Sequence, residues 1–234
     1  MSAFALKIIA ITAMLIDHFA FMFDGRLVFE LVPVLRMVGR MAFPIFAYFV
    51  GVGFRSTSDV HKYLTRLGIF ALISEIPFDI ALNAHTYPQY EIVWLEFGRQ
   101  NIFFTLFLGL LAALIYKKAF TNWHYAIVLP LPFVAAMFLQ ADFGLIGVML
   151  VFACAVIDRR EYRLAVLLIG GLALHMPLGG NLMLMMNTGY IAALILLAFY
   201  NGKQGPKMKW LFYAFYPLHL LFLFGLIMLY EAFV

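Results

Sequence analysis

The chain has 234 residues, of which 65% are hydrophobic and 12% are charged, and its mean hydropathy is +0.97. Soluble domains are about half apolar, so this composition excludes a soluble globular protein and indicates an integral membrane protein. The net charge of +4 does not indicate a nucleic-acid partner, because the basic residues lie in small clusters between apolar segments and form no long basic patch.

Nine apolar segments follow one another, each long enough, or nearly so, to cross a bilayer at about 20 residues per helix. They cover residues 6–23, 34–54, 64–82, 102–116, 124–139, 143–157, 164–176, 182–200 and 211–233. The segment at 164–176 is short, so a re-entrant or tilted helix there would change the count by one. We predict an all-α fold, a polytopic membrane helix bundle of about nine transmembrane helices that forms a single domain over residues 1–234.

The connections between the segments predict the orientation of the bundle, because cytoplasmic loops of membrane proteins are enriched in Lys and Arg. Twelve of the 16 basic residues fall near the N-terminus or in every second connection. These are Lys7, Arg55, Lys62, Arg66, Lys117, Lys118, Arg159, Arg160, Arg163, Lys203, Lys207 and Lys209. The N-terminus is therefore predicted inside and the C-terminus outside, with most carboxylates in the outer half. The polar connection at 83–101 has a composition suited to a lid or a short interfacial helix over the outer face.

Asp17 and His18 stand side by side near the end of the first segment. Ionisable residues in lipid are costly unless they face protein or water, so they indicate a functional site. Adjacent helical side chains diverge by about 100°, so we expect a carboxylate from another helix to orient His18. A buried imidazole held in this way is a natural general base. The alternative is that both residues bind headgroups or a backbone carbonyl at a helix end.

Glu75 and Asp79 lie four residues apart in the third segment, on one face of a helix kinked by the proline between them. Two like charges at membrane depth cannot both stay ionised unless a cation lies against them. Arg36 and Arg40, on the same predicted side, are the expected partners, with Arg99 as a third. A purely structural ion-pair network is the alternative.

His219 lies well inside the last apolar segment, next to Tyr216 and Pro217. An imidazole at that depth cannot reach the membrane surface, so it must face the bundle. It is predicted to be either a hydrogen-bonded structural residue or a member of the site.

Gln100 and Asn101 open the fourth segment, where they would cap the helix or bind a substrate carbonyl. Asp142 precedes the sixth segment and is predicted to be an N-cap, with a partnership to His18 as the alternative.

The sequence lacks the motifs of several other site types. The single cysteine, Cys154, cannot form a disulfide or a thiolate metal site within one chain, and no P-loop, HExxH, CxxC or dinucleotide-binding motif is present. We therefore expect no metal. Gly51 and Gly53, inside the second segment, predict close helix packing.

Six strings carry a resemblance that goes beyond composition. They are LKIIAITAMLIDH (6–18), GRMAFPIFAYFVGVGF (39–54), ALISEIPFD (71–79), QNIFFTLFLGLL (100–111), ADFG (141–144) and KWLFYAFYPLHLL (209–221). In this order, and over nearly the whole chain, they resemble the TraX family. IDH, SEIPFD, QN-FFT and FYPLH are the most specific parts of the match.

The TraX family is named for a protein that acetylates the N-terminus of conjugative pilin, and it is similar to multi-spanning acyl-CoA-dependent acyltransferases. The resemblance implies an enzyme of the bacterial cytoplasmic membrane that transfers an acyl group, acetyl by analogy, from acetyl-CoA as cosubstrate. The acceptor would be an amine or hydroxyl, either a pilin N-terminus or an envelope molecule on the outer side. Membrane lipids and this acceptor are the expected partners, and nucleic acid is not.

The chemistry of acyl transfer assigns roles to the polar residues. His18 is the expected base, with Asp17, Glu75 and Asp79 completing the catalytic set. The expected substrate- or oxyanion-binding residues are Arg40, Arg36, Gln100, Asn101, Asp142, Tyr216 and His219. Coenzyme A is cytoplasmic, so we expect its pantetheine arm to thread the bundle from the basic loops toward His18.

Two other classes of function stay open at this point. A proton-coupled small-molecule transporter would use the same acids and histidines as relays, although the odd helix count and the lack of an internal repeat disfavour it. A non-enzymatic membrane assembly factor would retain the buried polar residues for structure only.

Overall fold

The computed structural model describes the backbone of residues 1–86, 94 and 98–233, and in the first range the side chains of residues 1–82. The predicted lid at 83–101 therefore falls largely outside the described residues. Within them the chain is 79% helical and contains no strand, which confirms the all-α prediction.

Eleven α-helices are found in this part of the chain: α1 (Ala3–Met22), α2 (Leu31–Gly39), α3 (Ala42–Ser56), α4 (Val60–Thr86), α5 (Ile102–Ala119), α6 (His124–Val128), α7 (Leu131–Phe138), α8 (Gly144–Val156), α9 (Arg160–His175), α10 (Gly180–Ala198) and α11 (Lys209–Phe233).

Each of the nine predicted segments is helical, but two of them are split into two helices. The segment at 34–54 contains α2 and α3, which are separated at Arg40 and Met41. Pro44 explains the break, because a proline ring clashes with the carbonyl four residues earlier and lacks the N–H that would bind it. Pro130 similarly separates α6 from α7. In contrast, α11 continues through Pro217.

Six helical segments within the described residues are long and apolar enough to cross a membrane. They are Ala3–Met22, Leu31–Ser56, Ile102–Ala119, Arg160–Leu178, Gly180–Ala198 and Lys209–Phe233. The other three predicted spans correspond to α4, which carries several ionisable residues, and to the shorter α6–α7 and α8. A multi-pass membrane protein follows from these helices, whereas the count of nine and the orientation stay predictions.

The chain forms two compact units that alternate along the sequence. The first unit comprises residues 1–45, 73–96 and 175–234, and the second comprises residues 46–72 and 97–174. The first unit thus contains α1, α2, the end of α4, α10 and α11. The sequence predicts a single domain over residues 1–234.

In the first unit, α1 packs against α2 and α11, and α2 packs against α10. Glycines allow two of these helices to approach closely. A Cβ atom built at Gly189 of α10 would lie 1.8 Å from the carbonyl oxygen of Met37 in α2. Small residues at such crossings are typical of membrane helices, which associate through close van der Waals packing.

In the second unit, α5 packs against α7 and α8. A Cβ at Gly109 of α5 would lie 2.5 Å from Val151 of α8, and one at Gly51 of α3 would lie 2.1 Å from the carbonyl oxygen of Cys154. The close packing predicted at Gly51 is thereby confirmed.

Candidate functional site

Asp17 of α1 forms ion pairs with two arginines of the α2 terminus. Arg36 Nη1 lies 2.9 Å from Asp17 Oδ2, and Arg40 Nη2 lies 2.6 Å from Oδ1 and 2.7 Å from Oδ2. The two arginines are four residues apart, so they project from the same side of the helix. Asp17 is only 8% exposed. We call these three residues the Asp17 cluster.

The ion pairs of the Asp17 cluster were not predicted from the sequence. Arg36 and Arg40 bind Asp17, and their expected pairing with Glu75 and Asp79 stays a prediction. The packing of α1 against α2 brings Asp17 to the last turn of α2.

His18, the next residue of α1, contacts His219 of α11. The distance between His18 Nδ1 and His219 Nε2 is 2.6 Å, and His219 Nδ1 lies 2.8 Å from the carbonyl oxygen of Phe215. His219 is 5% exposed, which confirms that it faces protein. The group at Nδ1 of His18 is thus an imidazole, and the expected carboxylate partner of His18 stays a prediction. We call His18 and His219 the histidine pair.

The hydrogen bonds of the histidine pair define the tautomers of both rings when both are neutral. The Phe215 carbonyl can only accept, so Nδ1 of His219 carries the proton and Nε2 of His219 is an acceptor. Nδ1 of His18 must then donate to it, which leaves the basic lone pair of His18 on Nε2. This arrangement holds His18 in the form that a general base requires.

Aromatic rings fix the planes of the two imidazoles. Phe215 stacks on His219 with ring centroids 4.8 Å apart. Tyr216 is 2% exposed and lies edge-on to both rings, 6.0 Å from His18 and 5.5 Å from His219. Tyr216, predicted among the substrate-binding residues, therefore supports the histidine pair from one side.

Glu75 and Asp79 are buried in α4, at 6% and 3% exposure. Both belong to the same compact unit as the histidine pair. They therefore face protein, as the sequence analysis expects of ionisable residues at this depth. A direct role for either acid beside His18 stays a prediction.

Asn101 caps α5. Its Oδ1 accepts from the Phe103 amide at 3.0 Å, and its Nδ2 donates to the Ala71 carbonyl at 2.8 Å. The predicted cap is confirmed, and both ends of the amide make structural hydrogen bonds. Gln100, its buried neighbour, exchanges backbone hydrogen bonds with residues 140 and 142.

Asp142 pairs with Arg99, whose Nη2 lies 3.0 Å from Oδ1. The prediction that Asp142 is the N-cap of the following helix is wrong. The cap residue of α8 is Phe143, with φ of +61°, and it makes no side-chain cap bond. Because α8 begins at Gly144, the residue before it, Phe143, occupies the cap position and Asp142 lies outside the helix. Asp142 accepts hydrogen bonds from Arg99 and from the Phe143 amide instead. These residues belong to the second unit.

The structure adds one polar contact that the sequence analysis did not single out. His175 Nδ1 lies 2.8 Å from Asn187 Oδ1, and both residues are buried. Arg40 lies near enough for its charge to act on His175. The residue of the sequence that could have indicated this contact is Asn187, because its polar side chain lies inside an otherwise apolar segment. Among the described residues, no group of three or more His, Cys, Asp or Glu side chains could hold a metal ion.

A protein-family match and a similar protein each cover most of the chain. Residues 2–227 match the family described as TraX protein. A probable fimbrial assembly protein FimC, serogroup H1, from Dichelobacter nodosus is 32% identical over 235 residues, covering 94% of this chain and 93% of that protein. An uncharacterized protein of Rickettsia prowazekii (strain Madrid E) is 27% identical over 120 residues, 51% of this chain and 40% of that protein. No solved structure matches.

Proposed function

Because the chain belongs to the TraX family, we propose that it is an acyltransferase of the bacterial cytoplasmic membrane that moves an acetyl group from acetyl-CoA to an amine or hydroxyl acceptor. The observation that carries the proposal is the histidine pair, in which the Phe215 carbonyl and His219 orient His18 with its basic nitrogen as Nε2. The multi-pass helices supply the membrane setting.

His18 is the proposed general base. As the acceptor nitrogen or oxygen attacks the thioester carbonyl, His18 Nε2 takes its proton, and the hydrogen bond from His18 Nδ1 to His219 stabilises the imidazolium that forms. When the tetrahedral intermediate collapses, the carbon–sulfur bond breaks. The proton on His18 then passes to the departing thiolate, so that free coenzyme A and the acetylated acceptor are the products.

The Asp17 cluster is the proposed source of positive charge for the oxyanion. Its two guanidinium groups bind Asp17 at the end of α2, next to His18 on α1. A fixed cation in a water-poor site stabilises developing negative charge strongly. Arg40, at 16% side-chain exposure, is the more buried of the two arginines and is our choice for this role.

A fimbrial or pilin subunit is the acceptor that we favour. The Dichelobacter nodosus relative is named a probable fimbrial assembly protein, and an N-terminal amine is a nucleophile that a neutral imidazole can deprotonate during attack. In this role the protein would acetylate the subunit of a surface fibre that is assembled at the membrane.

Acetyl transfer by the purified full-length protein tests the proposal. The protein is incubated with acetyl-CoA labelled in the acetyl group, a subunit peptide with a free N-terminus, and the same peptide with a blocked N-terminus. We expect label on the free peptide only. His18→Ala should lower kcat at least about 100-fold, the usual contribution of a general base.

His61→Ala is the matched control, because His61 is an exposed histidine in the first turn of α4. It should retain full activity. Full activity in His18→Ala would reject the mechanism. A wild-type protein that transfers no label but carries a proton-coupled flux in liposomes would be a transporter, and one that does neither would be an assembly factor.

A further inference from the structure

Arg163, in the first turn of α9, is an unusually buried cation. It is 8% exposed, and its Nε and Nη1 atoms are buried without an acceptor among the residues that the structure describes. Its guanidinium lies over the ring of Tyr48 at 4.7 Å, which supports the group from one side. An arginine is almost never buried in this way unless something pairs with it.

A second arginine lies at the same end of the second unit. Arg55 Nη1, at the end of α3, donates to the carbonyls of Cys154 at 2.6 Å and Ala155 at 2.9 Å. These carbonyls belong to the last turn of α8, so Arg55 is held in place by the helix terminus. Arg55 follows Tyr48, the ring under Arg163, by seven residues on α3, which is about two helical turns, so Tyr48 and Arg55 lie on the same side of that helix.

The charges around these arginines do not balance. Asp158, between α8 and α9, attracts Arg55 but is exposed. A buried guanidinium with two nitrogen atoms that bind no acceptor is costly to maintain without an anion. Phosphate oxygens are strong acceptors for guanidinium N–H groups.

We propose that Arg163 and Arg55 form a binding site for a phosphate-bearing anion, at the end of the second unit that the sequence predicts to be cytoplasmic. Arg163 supplies the buried guanidinium and Arg55 the second charge. The same chemistry would serve a soluble diphosphate ligand such as coenzyme A or the headgroup of an anionic lipid. The proposal concerns binding alone and holds whether or not the protein transfers acetyl groups.

Binding of inorganic pyrophosphate to the full chain in phosphatidylcholine nanodiscs, measured by calorimetry, tests this site. We expect Arg163→Gln to weaken binding at least tenfold. Arg163→Lys should give an intermediate loss, because it keeps the charge without the planar fork. Arg159→Gln is the matched control, since Arg159 also lies over a tyrosine ring, at 5.8 Å from Tyr162, but is exposed; it should bind as wild type does.

A second measurement separates ligand binding from a structural role. Without pyrophosphate, Arg163→Gln should unfold at the same temperature as wild type or a higher one, because the mutation removes an unpaired buried charge. Only wild type and Arg159→Gln should be stabilised by adding pyrophosphate. Displacement by coenzyme A would identify a soluble ligand, and displacement by short-chain phosphatidylglycerol a lipid. Equal pyrophosphate affinity in wild type and both Arg163 variants, or no binding to wild type, would overturn the proposal.

Discussion

In the histidine pair, His18 Nδ1 contacts the imidazole of His219. An ionised acid in the place of His219 would have to be desolvated in a low-dielectric environment, which costs several kcal/mol per ion. His219 provides the same acceptor as a neutral ring, and the Phe215 carbonyl fixes its tautomer. The acid that does lie on α1, Asp17, is instead neutralised by two arginines.

Substitutions of His219 should show whether its side chain orients His18 or only fills space in the bundle. In His219→Leu, Nδ1 of His18 loses its acceptor, so we expect kcat for acetyl transfer to fall about tenfold or more, the value of one hydrogen bond to the reacting base. KM should change little, since His219 does not contact the acceptor in this mechanism. His219→Gln keeps a carbonyl oxygen as acceptor and should recover much of the loss. Equal kcat values in the two variants would show that His219 only fills space.

At the scale of helices, the Asp17 cluster depends on a close crossing of α1 and α2. A Cβ built at Gly39, the last residue of α2, would lie 2.2 Å from Asp17 Oδ1. The hydropathy of the sequence predicts the helices well, because long apolar segments in a membrane must satisfy their backbone as helices. It does not predict the break before Pro44, since apolar residues continue through it.

Gly39→Ala should destabilise the protein although alanine is normally the better helix residue. The added methyl group overlaps Asp17, and overpacking of this kind typically costs about 1–3 kcal/mol. We expect a lower unfolding temperature in detergent and loss of acetyl transfer. Gly225→Ala in α11 is the control: a Cβ there meets no atom within 4 Å, so it should be neutral or slightly stabilising. A Gly39→Ala protein as stable as wild type would contradict the observed crossing.

For the whole molecule, composition and loop charge were enough to predict a membrane helix bundle, and single buried polar residues were enough to nominate Asp17, His18, Arg36, Arg40 and His219. The contacts between them were not predictable. His18 and His219 are 201 residues apart in the sequence. Helical periodicity relates only residues within one helix, so it could not predict their contact. Similarly, charge alone could not show that Asp17 pairs with Arg36 and Arg40, because that pairing depends on the packing of α1 against α2.

The orientation of the bundle can be tested by labelling single cysteines. Cys154 is buried and is first replaced by alanine. Ser58→Cys lies in the connection between α3 and α4, and Glu30→Cys lies between α1 and α2; both positions are exposed. With the N-terminus inside, a membrane-impermeant maleimide added to intact spheroplasts should label position 30 and not position 58. The opposite pattern would reverse the orientation and place the basic connections outside.

Consecutive residues of α1 hold two different helices: Asp17 binds α2 through charge, and His18 binds α11 through an imidazole. Turning α1 about its axis would break both attachments at once. The arrangement of α1, α2 and α11 therefore depends on two neighbouring residues of one helix, and a rotation of α1 would displace both contacts together.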